Sequence, residues 1–214
     1  MKETSRIAVV VFDFGGVMTT TTMPERVRAA IAGTGISWET LADGFARYRR
    51  LMDGGFITAA EMYDNIWADA GADPPRDVRA RIIEDDFRSY LSESANPRTL
   101  AWMRALKSRG SRLAVLTNMP PEFAPKFRVA YAEFLALTEA HLISGEERMF
   151  KPQPRIYRRL QERLGAAAGE ICFVDDVEAN CEGARRQGWR AIRFESNEQV
   201  ERDFEELIGK QGGV

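Results

Sequence analysis

Six side chains at four places in the chain have the types that handle a phosphate and a hard metal ion. They are Asp13, Thr117 with Asn118, Lys151, and Asp175 with Asp176. A carboxylate beside a carboxylate pair suggests a magnesium site. Mg2+ prefers oxygen ligands and is held by one or two carboxylates together with waters and substrate phosphate. Such an ion would let one anion, Asp13, approach another, a phosphate, and would stabilise a phosphoryl group in transfer. Lys151 adds a fixed positive charge, Thr117 adds a hydroxyl donor for a phosphoryl oxygen, and Asn118 could orient either. Taken singly, each has a plainer reading. Asp13 could cap a turn, and Thr117-Asn118 could be an ordinary turn after a strand. Lys151 could be a solvated loop lysine, and Asp175-Asp176 an N-cap pair for the next helix. Their shared position, at strand ends or just before helices, is what favours the chemical reading.

The elements that must position them follow from the pattern of apolar residues. Asp13 ends the run Ile7-Ala8-Val9-Val10-Val11-Phe12, apolar and mostly β-branched, which reads as a strand buried on both faces of a parallel sheet. Gly15 and Gly16 follow, and allow a sharp turn and close approach to a ligand. Further strands are predicted at 112–117, 140–144, 171–174 and 190–194. Helices are predicted at 98–109, 121–137 with an interruption near Pro125, 155–164, 178–187 and 197–208. The alternation predicts an α/β, doubly wound (Rossmann-like) parallel sheet. Right-handed crossovers bring the strand ends to one edge, where open α/β sheets place their ligands.

No strand is predicted between residues 24 and 91. Pro24 suits the first position of a helix running to Ala32. Ser37 caps a helix to Arg50, and Thr58 and Glu61 form a capping box opening a helix to about Ala70. A last helix covers 77–91. The division expected is an α/β core from residues 1–17 and 92–214, with an all-helical cap at 18–91. Within the cap, Phe45, Tyr48, Phe56, Tyr63 and Trp67 read as core packing. Arg47, Arg49 and Arg50 read as a solvated helix face. Thr19 and its threonine neighbours read as a hinge that could also contribute hydroxyls.

The chain has 214 residues, 44% of them hydrophobic, enough for a substantial core. Thirty basic residues against 32 acidic ones, a net charge of -2, point away from nucleic acid and membrane surfaces. No apolar run approaches the roughly 20 residues of a membrane helix. The polar start passes straight into the first strand, which reads as no signal peptide. Cys172 and Cys181 form no metal or redox motif and read as buried, fitting a reducing, cytoplasmic setting. His141 is the only histidine, which argues against a Ser-His-Asp triad or a multi-histidine zinc site. The tail at 210–214 reads as frayed. Monomer and homodimer are not distinguished.

At the residues named above the chain resembles the haloacid dehalogenase (HAD) superfamily, from about Ile7 to Phe194. Phe12-Asp13-Phe14-Gly15-Gly16-Val17 matches the first motif except at its second acid. Leu116-Thr117-Asn118 matches the second, and Phe150-Lys151-Pro152 the third. Phe173-Val174-Asp175-Asp176 matches the fourth, followed by Asn180 and Gly183-Ala184. The insert resembles the family's C1 cap. The Gly-Gly-Val form, with Asp53-Gly54-Gly55-Phe56-Ile57-Thr58 in the insert, is most similar to the branch of YihX-type sugar phosphatases and the phosphatase domain of epoxide hydrolases.

That resemblance implies a Mg2+-dependent phosphatase for a small phosphate ester, a sugar phosphate foremost. Asp13 would be the nucleophile and form an aspartyl-phosphate. Asp13, the Gly15 carbonyl and Asp176 would bind Mg2+, with Asp175 a further ligand or directly behind them. Thr117, Asn118 and Lys151 would hold the phosphate. Gly15 replaces the acid that normally protonates the leaving group and activates water, a function worth about 10²–10⁴-fold in rate. Either the substrate has a good leaving group, or another group supplies the proton, or the protein acts by binding. Two rival readings stand beside the phosphatase: a metal-independent 2-haloacid dehalogenase, and a phosphate-binding regulatory protein.

Overall fold

The computed structural model describes residues 6–20, 31, 34–88 and 95–209. The helix expected from Pro24 to Ala32, Thr21 and Thr22, the break at Gly33, the end of the helix expected at 91 with its domain boundary, and the tail 210–214 lie outside the described residues.

Strand β1, Val9–Phe12, is the central strand, and all four of its residues are buried. Val10 and Phe12 point into one apolar layer, Val9 and Val11 into the other. This is the alternation of a strand covered on both faces. Among the described residues the insert shows α1 (Trp38–Asp53), α2 (Ala59–Ala70) and α3 (Arg76–Arg88). The alternating part comprises α4 (Pro97–Ser108), β2 (Arg112–Thr117), α5 (Ala124–Ala130), α6 (Ala132–Leu135) and β3 (Ala140–Ile143). It continues with α7 (Ser144–Glu147), α8 (Pro154–Leu164), β4 (Ile171–Asp175), α9 (Glu178–Arg186), β5 (Arg190–Arg193) and α10 (Asn197–Gly209).

The sheet order is β3-β2-β1-β4-β5, with every pairing parallel. The winding direction reverses between β1 and β4, which opens a crevice at their C-terminal ends. One face is covered by Trp102, Leu106, Phe127 and Phe204, the other by Ile156, Tyr157, Leu160 and Trp189. The helices therefore sit on both faces, as parallel crossovers require.

The predicted strands all occur; the second keeps its predicted ends and the others shift by one or two residues. The first starts at Val9 rather than Ile7, and the fourth takes in Asp175. Ser144 leaves the third strand to open α7. The break expected near Pro125 occurs where a 3-10 turn, Pro121–Phe123, gives way to α5, and a second break falls at Tyr131. Pro125 lies in the first turn of α5, where its missing N–H costs no helical bond.

The insert buries Leu41, Met62, Tyr63, Ile66, Trp67 and Ile82 in a cluster continuous with the Val10 and Phe12 face of the sheet. Ser37 caps α1, its Oγ accepting from Thr40 N at 3.1 Å. The Thr58–Glu61 capping box opens α2, which ends at Gly71 with φ 65°. Two expectations fail here. Phe56 is not core; it is 46% exposed, with the Arg148 guanidinium 5.1 Å from its ring centre. Arg49 is not on a solvated face, because its Nε lies 3.0 Å from Asp53 Oδ1 and its side chain is 20% exposed.

The passages between sheet and insert are clipped together. Thr19 bridges Ala95, and Asn96 N donates to Met18 O at 2.8 Å. Thr99 Oγ1 donates to Val17 O at 2.8 Å. Thr19, read as part of a hinge, is buried, and its Oγ1 accepts from Gly16 N at 3.0 Å.

Candidate active site

Asp13 and Asp175 meet because their strands are in register. Phe12 pairs with Val174, so the next residue on each strand stands side by side at the sheet edge. Asp13 N donates to Val174 O at 2.8 Å, which continues the ladder by one bond. On the other side Phe12 pairs with Val115, which puts Thr117 two positions beyond that pair on β2. Carboxylate oxygens of Asp13, Asp175 and Asp176 lie within 4.8 Å of one another.

Lys151 reaches this cluster from the loop before α8. Its Nζ is 2.7 Å from Asp13 Oδ1 and 2.6 Å from Asp175 Oδ2. Asn118 fixes that loop, with its Oδ1 accepting from Lys151 N at 2.8 Å and its Nδ2 donating to Lys151 O at 3.1 Å. Asn118 thus acts on the Lys151 backbone. Thr117 is buried, and among the described residues its hydroxyl makes one long 3.5 Å contact, to Asn118 O.

The electrostatics follow from three acids and one ammonium in a dry place. Burial pushes the Asp13 carboxyl well above the ordinary carboxylate range, Asp175 adds to the rise, and Lys151 opposes it. Asp176 is raised by partial burial and then by Asp175. Burial works against the Lys151 ammonium, but Asp13 and Asp175 outweigh it and its pKa rises.

Free lone pairs distinguish the three acids. Asp175 is fully engaged: Val177 N donates to Oδ1 at 2.8 Å, and Asn180 Nδ2 lies 3.0 and 3.1 Å from its two oxygens. Asp13 accepts only at Oδ1, from Lys151 and from Phe14 N at 2.6 Å. Its Oδ2 accepts from no described residue. Gly16, at φ 72°, is the residue the turn requires, since a Cβ there would overlap the Asp176 carboxylate. At Gly15 a Cβ would meet nothing within 4 Å. Asp13 Oδ2 and the Asp176 carboxylate, in a compact cluster with the engaged Asp175, fit a hard divalent cation.

The structure thus brings Asp13, Gly15, Thr117, Asn118, Lys151, Asp175 and Asp176 to the C-terminal edge of the sheet. Two further residues matter that chemistry-by-type did not single out. Asn180 holds Asp175, and Tyr157 OH donates to Asn180 O at 2.9 Å. Asn180 lies in the first turn of the helix after the acidic pair, where the family resemblance names it without giving it a role. Ser144 is the other: its Oγ accepts from Met119 N at 2.8 Å and donates to Asp53 O across the boundary with the insert.

Known proteins are similar to this chain in sequence and fold. The profile of the haloacid dehalogenase-like hydrolases matches residues 7–188. A (S)-2-haloacid dehalogenase of Burkholderia cepacia is 26% identical over 159 residues, 74% of this chain and 64% of that protein. The bifunctional epoxide hydrolase 2 of Mus musculus is 29% identical over 171 residues, 78% of this chain and 29% of that protein. The chain thus spans less than two thirds of these relatives' lengths. Among solved structures, a HAD family enzyme of Bacteroides thetaiotaomicron, crystallised with magnesium and inorganic phosphate, superposes with a TM-score of 0.66. That match is 21% identical and covers 87% of this chain and 93% of the other. A five-stranded parallel sheet with a helical insert after its first strand, an acid ending that strand, and a family profile over most of the length lead to one assignment: the chain belongs to the haloacid dehalogenase-like hydrolases.

Proposed function

We propose that the protein is a Mg2+-dependent phosphatase acting on a small phosphorylated metabolite, with sugar phosphates the leading class. The observation that carries this reading is Lys151 bridging Asp13 and Asp175, with Asp176 completing a three-carboxylate cluster. The magnesium and phosphate bound by the Bacteroides relative support it. So does the epoxide hydrolase likeness, which favours the branch of YihX-type sugar phosphatases and epoxide hydrolase phosphatase domains.

In this reading Asp13, Asp176 and the Gly15 carbonyl hold the ion. Asp175 has its oxygens engaged by Lys151, Asn180 and Val177, so it orients the site beside them. A bound Mg2+ supplies positive charge that favours the carboxylate forms and offsets the phosphate's negative charge. Asp13 presents Oδ2 to phosphorus while Lys151 holds Oδ1, fixing the line of attack. The Lys151 ammonium and the Thr117 hydroxyl donate to phosphoryl oxygens, and burial strengthens both interactions. Asn118 keeps Lys151 in place through its backbone. The insert, residues 18–91, serves as the cap over an α/β core of 1–17 and 92–214, and sets substrate choice. Two free, buried cysteines agree with a reducing, cytoplasmic setting. Among the described residues no helix is long and apolar enough to cross a membrane.

The dehalogenase reading has the Burkholderia relative in its favour. One experiment separates the two: phosphate release from a panel of phosphate esters and halide release from 2-haloacids, with and without Mg2+, for wild type and Asp13→Asn. Phosphate release that needs both Mg2+ and Asp13 is expected. Metal-independent halide release with no phosphate release would overturn the proposal.

A further inference from the structure

Gly15 leaves an opening beside Asp13, since a Cβ there would meet no atom of the described residues within 4 Å. A buried acid of the insert is fastened to the loops that carry Ser144 and Phe150. Asp53 ends α1, and its side chain is 10% exposed. Its carbonyl accepts from Ser144 Oγ. A Cβ on Gly54 would collide with the ring of Phe150, the residue before Lys151, and one on Gly55 with the Gly145 carbonyl. The Asp53 loop therefore lies flush against the loop that delivers Lys151.

The Asp53 carboxyl is held at one oxygen only. Oδ1 accepts from Arg49 Nε at 3.0 Å, and Oδ2 is hydrogen-bonded to no described residue. The charges facing it are Arg49 on its own helix, Asp86 on α3 and Lys151 on the core. Burial raises its pKa, and Arg49 and Lys151 restrain the rise. A group that must both hold and release a proton needs such a balance.

We propose that Asp53 supplies, from the insert, the proton transfer for which Gly15 has no side chain. The proposal rests on the phosphatase reading above. In the first half-reaction an Asp13 oxygen attacks phosphorus and the bond from phosphorus to the ester oxygen breaks. The Asp53 proton passes to that oxygen, and the leaving group departs as an alcohol. In the second, a water oxygen attacks phosphorus of the aspartyl-phosphate and one of its protons passes to the Asp53 carboxylate. The bond to Asp13 breaks, phosphate leaves, and both side chains are restored. Arg49 is a positioning residue that orients Asp53. The substrate class widens accordingly, to esters of unactivated alcohols such as sugar hydroxyls.

The test is the dependence of rate on the leaving group. Initial rates with Mg2+ are measured on p-nitrophenyl phosphate, phenyl phosphate and a primary alkyl phosphate. The proteins are wild type, Asp53→Asn, and Asp53→Asn combined with Gly15→Asp. The wild-type rate is expected to vary less than about tenfold across the series. Asp53→Asn should stay within about tenfold on p-nitrophenyl phosphate but lose about 10²–10⁴-fold on the alkyl ester. Adding Gly15→Asp, which the open space accommodates, should recover most of that loss. An equal loss on all three esters would mean a structural role and overturn the proposal. So would a steep fall across the series in the wild type, a readout that holds even if the variant does not fold. Asp13-dependent turnover with that steep fall removes this proposal alone. No Asp13-dependent release from any ester removes the phosphatase reading and this proposal with it.

Discussion

The ammonium of Lys151 stands 2.7 Å from the Asp13 carboxylate, and neither side chain exposes more than 9% of its surface. A second carboxylate, Asp175, lies 2.6 Å from the same nitrogen and is fully buried. One cation thus compensates two acids in a place where an uncompensated charge is expensive.

Lys151→Met is therefore expected to unbalance the site as well as remove a phosphate donor. Removing one partner of a buried pair costs about 3–5 kcal/mol, a fall in Tm of roughly 10 °C for a chain of this size. Mg2+ should restore part of the loss, because it returns positive charge to the cluster. Thermal melts of wild type and variant, each with and without Mg2+, check this. Activity on any phosphate ester should be lost in both conditions.

Gly15 and Gly16 are neighbours with opposite constraints. Gly16 has φ 72°, and a Cβ there would overlap Asp176. Gly15 has open space and no left-handed backbone. Gly16→Ala should cost about 1–2 kcal/mol from the backbone alone and displace Asp176. Gly15→Ala should leave stability unchanged or raise it by about 0.4–1 kcal/mol. Mg2+ at 100 times its Kd should add about 2.7 kcal/mol to the wild type, roughly 5–10 °C in Tm. That increment should persist in Gly15→Ala and largely vanish in Gly16→Ala.

Asp86 gives the insert a pH dependence. Burial raises its pKa above 3.8, while Arg49 and the Tyr63 hydroxyl, 3.2 Å from Oδ2, work against the rise. The folded state then holds this proton more tightly than the unfolded chain does. The contribution of Asp86 to stability is greatest at low pH, and is lost as pH rises from 3.8 through the folded value. Asp86→Asn, which keeps the shape and a hydrogen-bonding oxygen, should flatten the change in Tm over that window. Melts of the two proteins at a series of pH values, without metal, check this.

Much of the fold was legible because its signals are local. The β-branched run from Val9, the Ser37 cap and the Thr58–Glu61 box each involve neighbours a few positions apart. The ordering of acid, threonine, lysine and acid pair on alternating strands and helices was also enough to expect one crevice. Its shape was set elsewhere. Which oxygens of Asp13 and Asp175 remain free depends on Lys151, Asn180 and Val177, which the β1–β4 register gathers. Phe56 and Arg49 were misread from helical spacing, because spacing says which residues share a face but not what that face meets. Asp53 was read only as the start of the Asp53-to-Thr58 stretch that carries the branch resemblance, with no chemical role. Its place near the site comes from Ser144, 91 positions away, and such distant partners leave no periodic trace in the chain. Sequence alone determined the element order and the kinds of chemical group available. Tertiary structure decided which groups are desolvated, paired and left open, because burial and charge compensation depend on contacts between segments far apart in the chain.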